Sequence, residues 1–217
     1  MLSPQDYRRL FPEPMAQVEA FVALALPPDS VVPLECLVAY TRDGLLEEAL
    51  RRRGARVWSF DRQPLLPDRE HKPFLCAELC WLREHPYVRR KWPASFDRVV
   101  CQSGLWRFVD CTLRAAVNAL VELLSPGGEL TLRLERERAP STPQVDPMPD
   151  GLWLACQAVG DERIETRIIE GLPPHTTRGP NWSLEDWQRA LEQAGCAELR
   201  VDVLDATYSV LRARQKG

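Results

Sequence analysis

Apolar residues fall into two rhythms along the chain: short continuous runs, and longer stretches in which they recur every third or fourth position. The first kind reads as buried strand, the second as amphipathic helix. Residues 3–26 carry the helical rhythm, broken at Pro12 and Pro14, and Pro27-Pro28 stops its second half, QVEAFVALAL. A strand is predicted over about 35–39, then a helix over about 44–53. In that helix Leu45, Leu46, Ala49 and Leu50 share one face, with Glu47, Glu48 and the arginines on the other. Gly54 suits the residue that closes a helix in the left-handed conformation. Residues 56–60 form a second strand ending at Asp61.

Beyond it, residues 62–73 are polar and carry prolines, which predicts a loop. PFLCAEL reads as a short third strand, REHPYVRRKWPAS as a linker and FDRVVCQ as a fourth strand. TLRAAVNALVELL has helical spacing; Ser125-Pro126-Gly127-Gly128 ends it and turns into ELTLRLE, a fifth strand. Residues 139–181 break the rhythm and hold seven of the 19 prolines, with GLWLACQAVG and ERIETRIIEG suited to a hairpin. Ser183 caps a last helix, LEDWQRALEQA, which ends at Gly195. Asp186 stands where a capping box has Glu or Gln and is a weaker substitute. AELRVDVLD and ATYSVLRAR close the chain as a hairpin. Strands alternating with helices predict an α/β fold: a seven-stranded, mostly parallel sheet with helices on both faces and an antiparallel C-terminal edge.

Composition narrows the function more than the fold. A length of 217 residues suits one domain with a sizeable core. With 45% hydrophobic and 27% charged residues the chain is an ordinary globular one. A net charge of -3 gives no electrostatic case for nucleic acid or an anionic membrane. No apolar run approaches the roughly 18 residues of a membrane span, and MLSPQDYRRLFPEP lacks the charged-then-apolar order of a signal peptide. A cytoplasmic protein is expected. The seven cysteines are scattered, mostly within apolar runs, and are expected as buried free thiols. Cys76 and Cys80 lack a second pair, so no metal site is expected. The hydrolase elbow, the P-loop and the metalloprotease helix are all missing. The basic runs in YVRRKW and EEALRRR read as solvated faces, the second through Glu47 and Glu48 four positions before Arg51 and Arg52.

The order and spacing of GARVWSFDRQP, PFLCAELCWL, FDRVVCQSGLWRFVD, LVELLSPGGELTLRL and the closing helix and hairpin resemble class I S-adenosylmethionine-dependent methyltransferases. The resemblance covers nearly all of the chain from about residue 34, apart from 139–181. It implies a Rossmann-like fold, S-adenosylmethionine as cofactor and methyl transfer to a small-molecule acceptor. Asp61 matches the acid that accepts from the ribose hydroxyls; Glu78 and Leu79 match the pair that meets the adenine. Cys101, Gln102 and Ser103 would line the transfer site. The turn after the first strand departs from the pattern. Val38 stands at the usual acid, Tyr40 and Arg42 at two usual glycines, and only Gly44 falls on a glycine position. Tyr40 and Arg42 either fill the space of the methionine end, or Arg42 grips its carboxylate in a bidentate fork.

Each of these residues also has a plain structural alternative. Asp61 could cap a helix or pair with Arg62, Glu78 could pair with Arg83, and Trp106 and Tyr40 could be packing residues. His175, in LPPHTTRGPNW, is a candidate general base on a substrate loop, ahead of His71 and His85. Residues 1–30 are expected as a helical lid and 139–181 as a substrate-side insertion within the single domain 1–217. Two rival readings stand beside the enzyme. One is a methyltransferase-like subunit that has lost the cofactor and works through a protein partner; the other is the same fold with different chemistry.

Overall fold

The fold is seen in a computed structural model, which describes residues 6, 9–12, 15–31, 33–41, 44–62, 74–101, 111–205 and 207–216. Helix α1 (Met15–Ala25) precedes β1 (Glu35–Ala39), α2 (Leu45–Arg52), β2 (Arg56–Asp61) and β3 (Phe74–Cys76). A tight helical turn, Leu79–Trp81, and α3 (Pro86–Lys91) lead to β4 (Phe96–Cys101), α4 (Leu113–Glu122) and β5 (Leu124–Glu135). Four strands follow: β6 (Gln144–Pro147), β7 (Trp153–Val159), β8 (Glu162–Ile168) and β9 (His175–Pro180). The chain closes with α5 (Leu184–Gln193), β10 (Cys196–Val203) and β11 (Tyr208–Gln215).

Seven strands form one sheet in the order β10-β11-β5-β4-β1-β2-β3. β3, β2, β1, β4 and β5 run parallel, and β11 is antiparallel to both of its neighbours. This is the sheet the sequence pattern predicts, and its order reverses between β1 and β4. Side chains alternate across it. Leu37, Ala39, Phe60, Val99, Leu130, Leu132 and Leu211 pack with Val117 and Leu120 of α4 and Trp187 and Leu191 of α5. Cys36, Val38, Val57, Val100 and Val210 pack on the opposite face with Val18, Phe21 and Val22 of α1 and Leu46 and Leu50 of α2. Each large side chain so buried stabilises by about 1.5–3 kcal/mol. α1 is therefore a layer of the main core, because its buried residues recur at helical spacing.

Several elements differ from expectation for identifiable reasons. The fourth helix stops at Glu122, and Leu124 already pairs with Phe96. Residues 125–128 make an irregularity inside β5: Gly127 has φ 74, and a Cβ on Gly128 would lie 2.8 Å from the Ser125 carbonyl. The linker REHPYVRRKWPAS contains α3, since Pro86 occupies the first helical turn and the Tyr87 N–H donates to His85 Nδ1 at 3.2 Å. Asp186 completes the capping box: it accepts from the Ser183 N–H at 2.7 Å while its own N–H donates to Ser183 Oγ. Cys36, Cys101, Cys156 and Cys196 are buried as expected, but Cys76 and Cys80 are exposed and Cys111 is half-buried. Cys76 and Cys80 lie on the short edge strand β3 and the turn after it, which the core covers on one side only.

The 139–181 region contains the predicted β7–β8 hairpin but extends it into a separate antiparallel sheet, β6-β7-β8-β9. Its outer strands carry Pro147 and Pro180, and edge strands tolerate the missing N–H. Among the described residues no helix is long and apolar enough to cross a membrane.

Candidate functional site

The sheet register builds the first half of the site. Ala39 pairs with both Phe60 and Cys101, so β1, β2 and β4 end at one level, with Tyr40 and Asp61 one residue further on. This is the carboxyl end of the parallel strands beside the order reversal, where open α/β sheets hold ligands. Asp61 is 2% exposed. Its carbonyl accepts from the Ala77 N–H at 2.9 Å, which brings Glu78 and Leu79 against the same strand end.

Tyr40 has φ 57, in the left-handed region. Strict alternation would set its ring beside Val38 on the α1–α2 face. The positive φ turns the ring to the other face, where it lies 5.2 Å from Phe60 in the cluster with Leu79. A non-glycine residue held this way costs about 1–2 kcal/mol, offset here by complete burial. Burial also pushes the Tyr40 hydroxyl well above its usual range, with Cys111, Cys101 and Glu78 adding to it. Gly44, at φ 78, opens α2 in the same left-handed conformation. Between them the Thr41 hydroxyl donates to Glu47. Glu47 is 1% exposed, not on the solvated face of α2. It lies three positions before Leu50, on the buried stripe.

Glu78 takes Arg62 as its ion-pair partner, Nε to Oε1 at 2.7 Å, whereas Arg83 donates to the Ala94 carbonyl. Leu79 is 2% exposed in the core and Cys101 is buried at the end of β4. Arg42, Gln102, Ser103, Trp106 and His71 lie outside the described residues. The structure thus gathers Tyr40, Gly44, Asp61, Glu78, Leu79 and Cys101 around the β1, β2 and β4 ends. Cys80 and Cys111 join them, their sulfurs 3.1 Å apart.

His175 belongs to a second group, on the small sheet. Alternation puts Arg163, Glu165 and Arg167 on one face of β8; across from Glu165 and Arg167 stand Thr177 and His175 of β9. Arg163 Nε donates to Glu165 Oε1 at 2.7 Å, and Arg167 Nη2 pairs with Oε2 at 2.8 Å. Burial opposes ionisation of Glu165, but Arg167 and Arg163 outweigh it and hold the carboxyl below its usual range. Glu135, the last residue of β5, faces this group. Burial pushes its carboxyl up, against the pull of Arg163. The charged face therefore lies toward the carboxyl end of β5.

The N-terminal segment closes one side of the group. The Arg167 guanidinium sits 4.5 Å over the Phe11 ring, and His175 meets that ring edge-on at 5.4 Å. Leu10 and Phe11 pack with Leu152 and Ile169, and Arg9 donates to the Glu170 carbonyl at 3.0 Å. Burial, then Arg167, pushes the His175 pKa down, so its ring is neutral at pH 7. Sequence reasoning missed Thr41, Glu47, Glu135, Arg163, Glu165 and Arg167.

No protein-family model and no curated protein matches the chain; its likenesses are to solved structures. An S-adenosylmethionine-dependent methyltransferase from Clostridium acetobutylicum has TM-score 0.68 and 12% identity over 98% of this chain and 97% of that one. An S-adenosylmethionine-bound amino pentose methyltransferase of calicheamicin biosynthesis, from Micromonospora echinaspora, has TM-score 0.67 and 18% identity over 98% and 96%. A sugar N-methyltransferase from Streptoalloteichus has TM-score 0.65 and 16% identity over 100% and 95%. What these identities establish is the fold: the chain has the Rossmann-like class I methyltransferase fold.

Proposed function

We propose that the protein is an S-adenosylmethionine-dependent methyltransferase acting on a small-molecule acceptor. The observation that carries the reading is Asp61, a carboxylate buried at the end of β2 and level with the left-handed turn at Tyr40. The residues present fit the cofactor. A glycine in this turn serves to adopt positive φ; Tyr40 adopts it too, and its ring is directed into the core. Val38 cannot supply the family's usual acid, but the fold buries Glu47 beside Thr41 of the same turn. Asp61 would accept from the ribose hydroxyls, and Glu78 and Leu79 would meet the adenine. Glu47 would serve the cofactor's ammonium.

The bound cofactor supplies an electrophilic methyl group on a sulfonium. The chain's part is positioning and exclusion of water. Cys101 would border the transfer point; Gln102, expected beside it, lies outside the described residues. Residues 9–11 and the small sheet cover the acceptor side. Neutral His175 is suited to take the proton that the acceptor loses. The amino pentose and sugar acceptors of the structural neighbours favour a small molecule here as well.

One observation favours the rival role of a protein-binding subunit. The outer face of the small sheet exposes Val145 at 56%, Trp153 at 48%, Val159 at 54% and Ile168 at 40%. Calorimetric titration with S-adenosylmethionine and S-adenosylhomocysteine separates the two. Micromolar binding that Asp61→Asn weakens supports the enzyme. No binding of either ligand at millimolar concentration overturns it.

A further inference from the structure

The inner face of the small sheet holds polar atoms that its own ion pairs do not use. Arg167 places Nη2 on Glu165 and its guanidinium carbon 4.5 Å over the Phe11 ring. Its Nη1 is buried with no hydrogen-bond partner among the described residues, and so is the Thr177 hydroxyl oxygen. The two residues occupy adjacent strands two register positions apart and so share a face, Thr177 across from Glu165 and Arg167 across from His175. On such a diagonal a long side chain such as that of Arg167 comes within reach of its neighbour. Buried polar groups in folded proteins are almost always paired. Two polar groups on one face without a partner among the described residues call for an acceptor that the described residues do not supply.

Charge says which kind of acceptor. Arg163 and Arg167 share the single carboxylate of Glu165. Burial pushes the next carboxyl, Glu135, up against the pull of Arg163. His175 is held neutral by burial and by Arg167 itself. Two guanidinium groups thus share one ion-paired carboxylate on this face. A guanidinium N–H beside a hydroxyl matches the two oxygens of a carboxylate, each of which accepts while neither donates.

We infer that Arg167 and Thr177 bind a carboxylate carried by the methyl acceptor, so that the substrate is a small organic acid held beneath the small sheet. The inference rests on the methyltransferase reading for the word acceptor, but the carboxylate site stands or falls separately.

The test uses the full chain with and without added S-adenosylhomocysteine, with sodium benzoate, benzamide and inorganic phosphate as probes and ligand-observed NMR as the readout. Benzoate is expected to bind in the millimolar range, and benzamide at least about tenfold more weakly, since one charge-assisted hydrogen bond accounts for about that ratio. Arg167→Gln is expected to weaken benzoate about tenfold or more. Arg178→Gln, on the exposed outer face, is expected to leave it unchanged. Arg167 also pairs with Glu165, so Thr177→Val serves as a second variant that disturbs no ion pair; a loss of about threefold to tenfold is expected. Equal binding of benzoate and benzamide, or benzoate binding indifferent to both variants, overturns the inference. Phosphate binding in preference to benzoate overturns the carboxylate assignment. If benzoate binds with this pattern and S-adenosylhomocysteine does not bind, the methyltransferase reading fails and the acid-binding site remains.

Discussion

At the ends of β1 and β2 the backbone does the placing of the buried polar groups: Asp61 ends a paired strand, and Tyr40 and Gly44 hold left-handed φ. On the inner face of the small sheet they are buried as a set. Arg163, Glu165 and Arg167 compensate one another through side chains alone, with Glu135 against them. The first arrangement tolerates a change of side chain so long as the main chain keeps its path, which is how a tyrosine can hold a φ that glycine adopts freely. The second cannot lose a member without leaving its partners charged and buried.

That contrast predicts unequal sensitivity. Glu165→Gln leaves two largely buried guanidinium groups without their carboxylate and is expected to cost about 3–5 kcal/mol in urea unfolding. Glu162→Gln, on the exposed pair with Arg178, is expected to cost less than about 1 kcal/mol. Equal costs would break the comparison. Tyr40→Gly removes a buried ring, worth about 3–5 kcal/mol when an aromatic is truncated, and recovers about 1 kcal/mol of backbone strain. A clear loss of stability is expected, with S-adenosylhomocysteine affinity kept within about threefold because the turn still adopts positive φ. A folded Tyr40→Gly protein that no longer binds would show that the ring, not the backbone, makes the site.

Smaller effects sharpen the same contrast. His175 titrates below its ordinary value through burial and then Arg167. Between its folded value and the ordinary value near 6.5 the unfolded chain binds more protons. Its contribution to stability therefore rises with pH across that window and is lost as pH falls through it. Arg167→Gln is expected to move the ring-proton titration of His175 upward part of the way, burial remaining. An unmoved titration would separate the two residues. Near Tyr40, burial and the Cys80 thiol push Cys111 up to about 12, so Cys111 stays protonated at pH 7. Hydrogen peroxide is expected to join Cys80 to Cys111, each sulfur losing a hydrogen to the two waters formed, for a loss of about 2 Da. Cys80→Ser should abolish that mass change; persistence would point to another pair.

The main sheet was legible because its strands are continuous apolar runs: β1 falls on the predicted residues, and Gly54 and Gly195 close α2 and α5 at φ 88 and φ 82. Proline misled in opposite ways. Pro86, inside a segment whose charge and aromatics suggested a linker, starts α3, whereas Pro147 and Pro180 hid edge strands. Asp61 and Glu78 could be placed from element order. Glu47 could have been found from its three-residue spacing to Leu50. The Glu135, Arg163, Glu165 and Arg167 group could not. ERIETRI sets Arg163, Glu165 and Arg167 against Glu162, Ile164, Thr166 and Ile168, which specifies two faces but not which one is turned inward. Here the charged face is covered, while Ile168 on the other face is 40% exposed. The cover comes from β5 and from residues 9–11, far away in sequence.

A crystal structure with S-adenosylhomocysteine bound tests the central claim most directly. The expected result is the ribose on Asp61 at the β2 end, with Tyr40 still at positive φ and its ring against Phe60. Ligand lodged elsewhere, or a Tyr40 that must swing out of the core to admit it, would contradict the account.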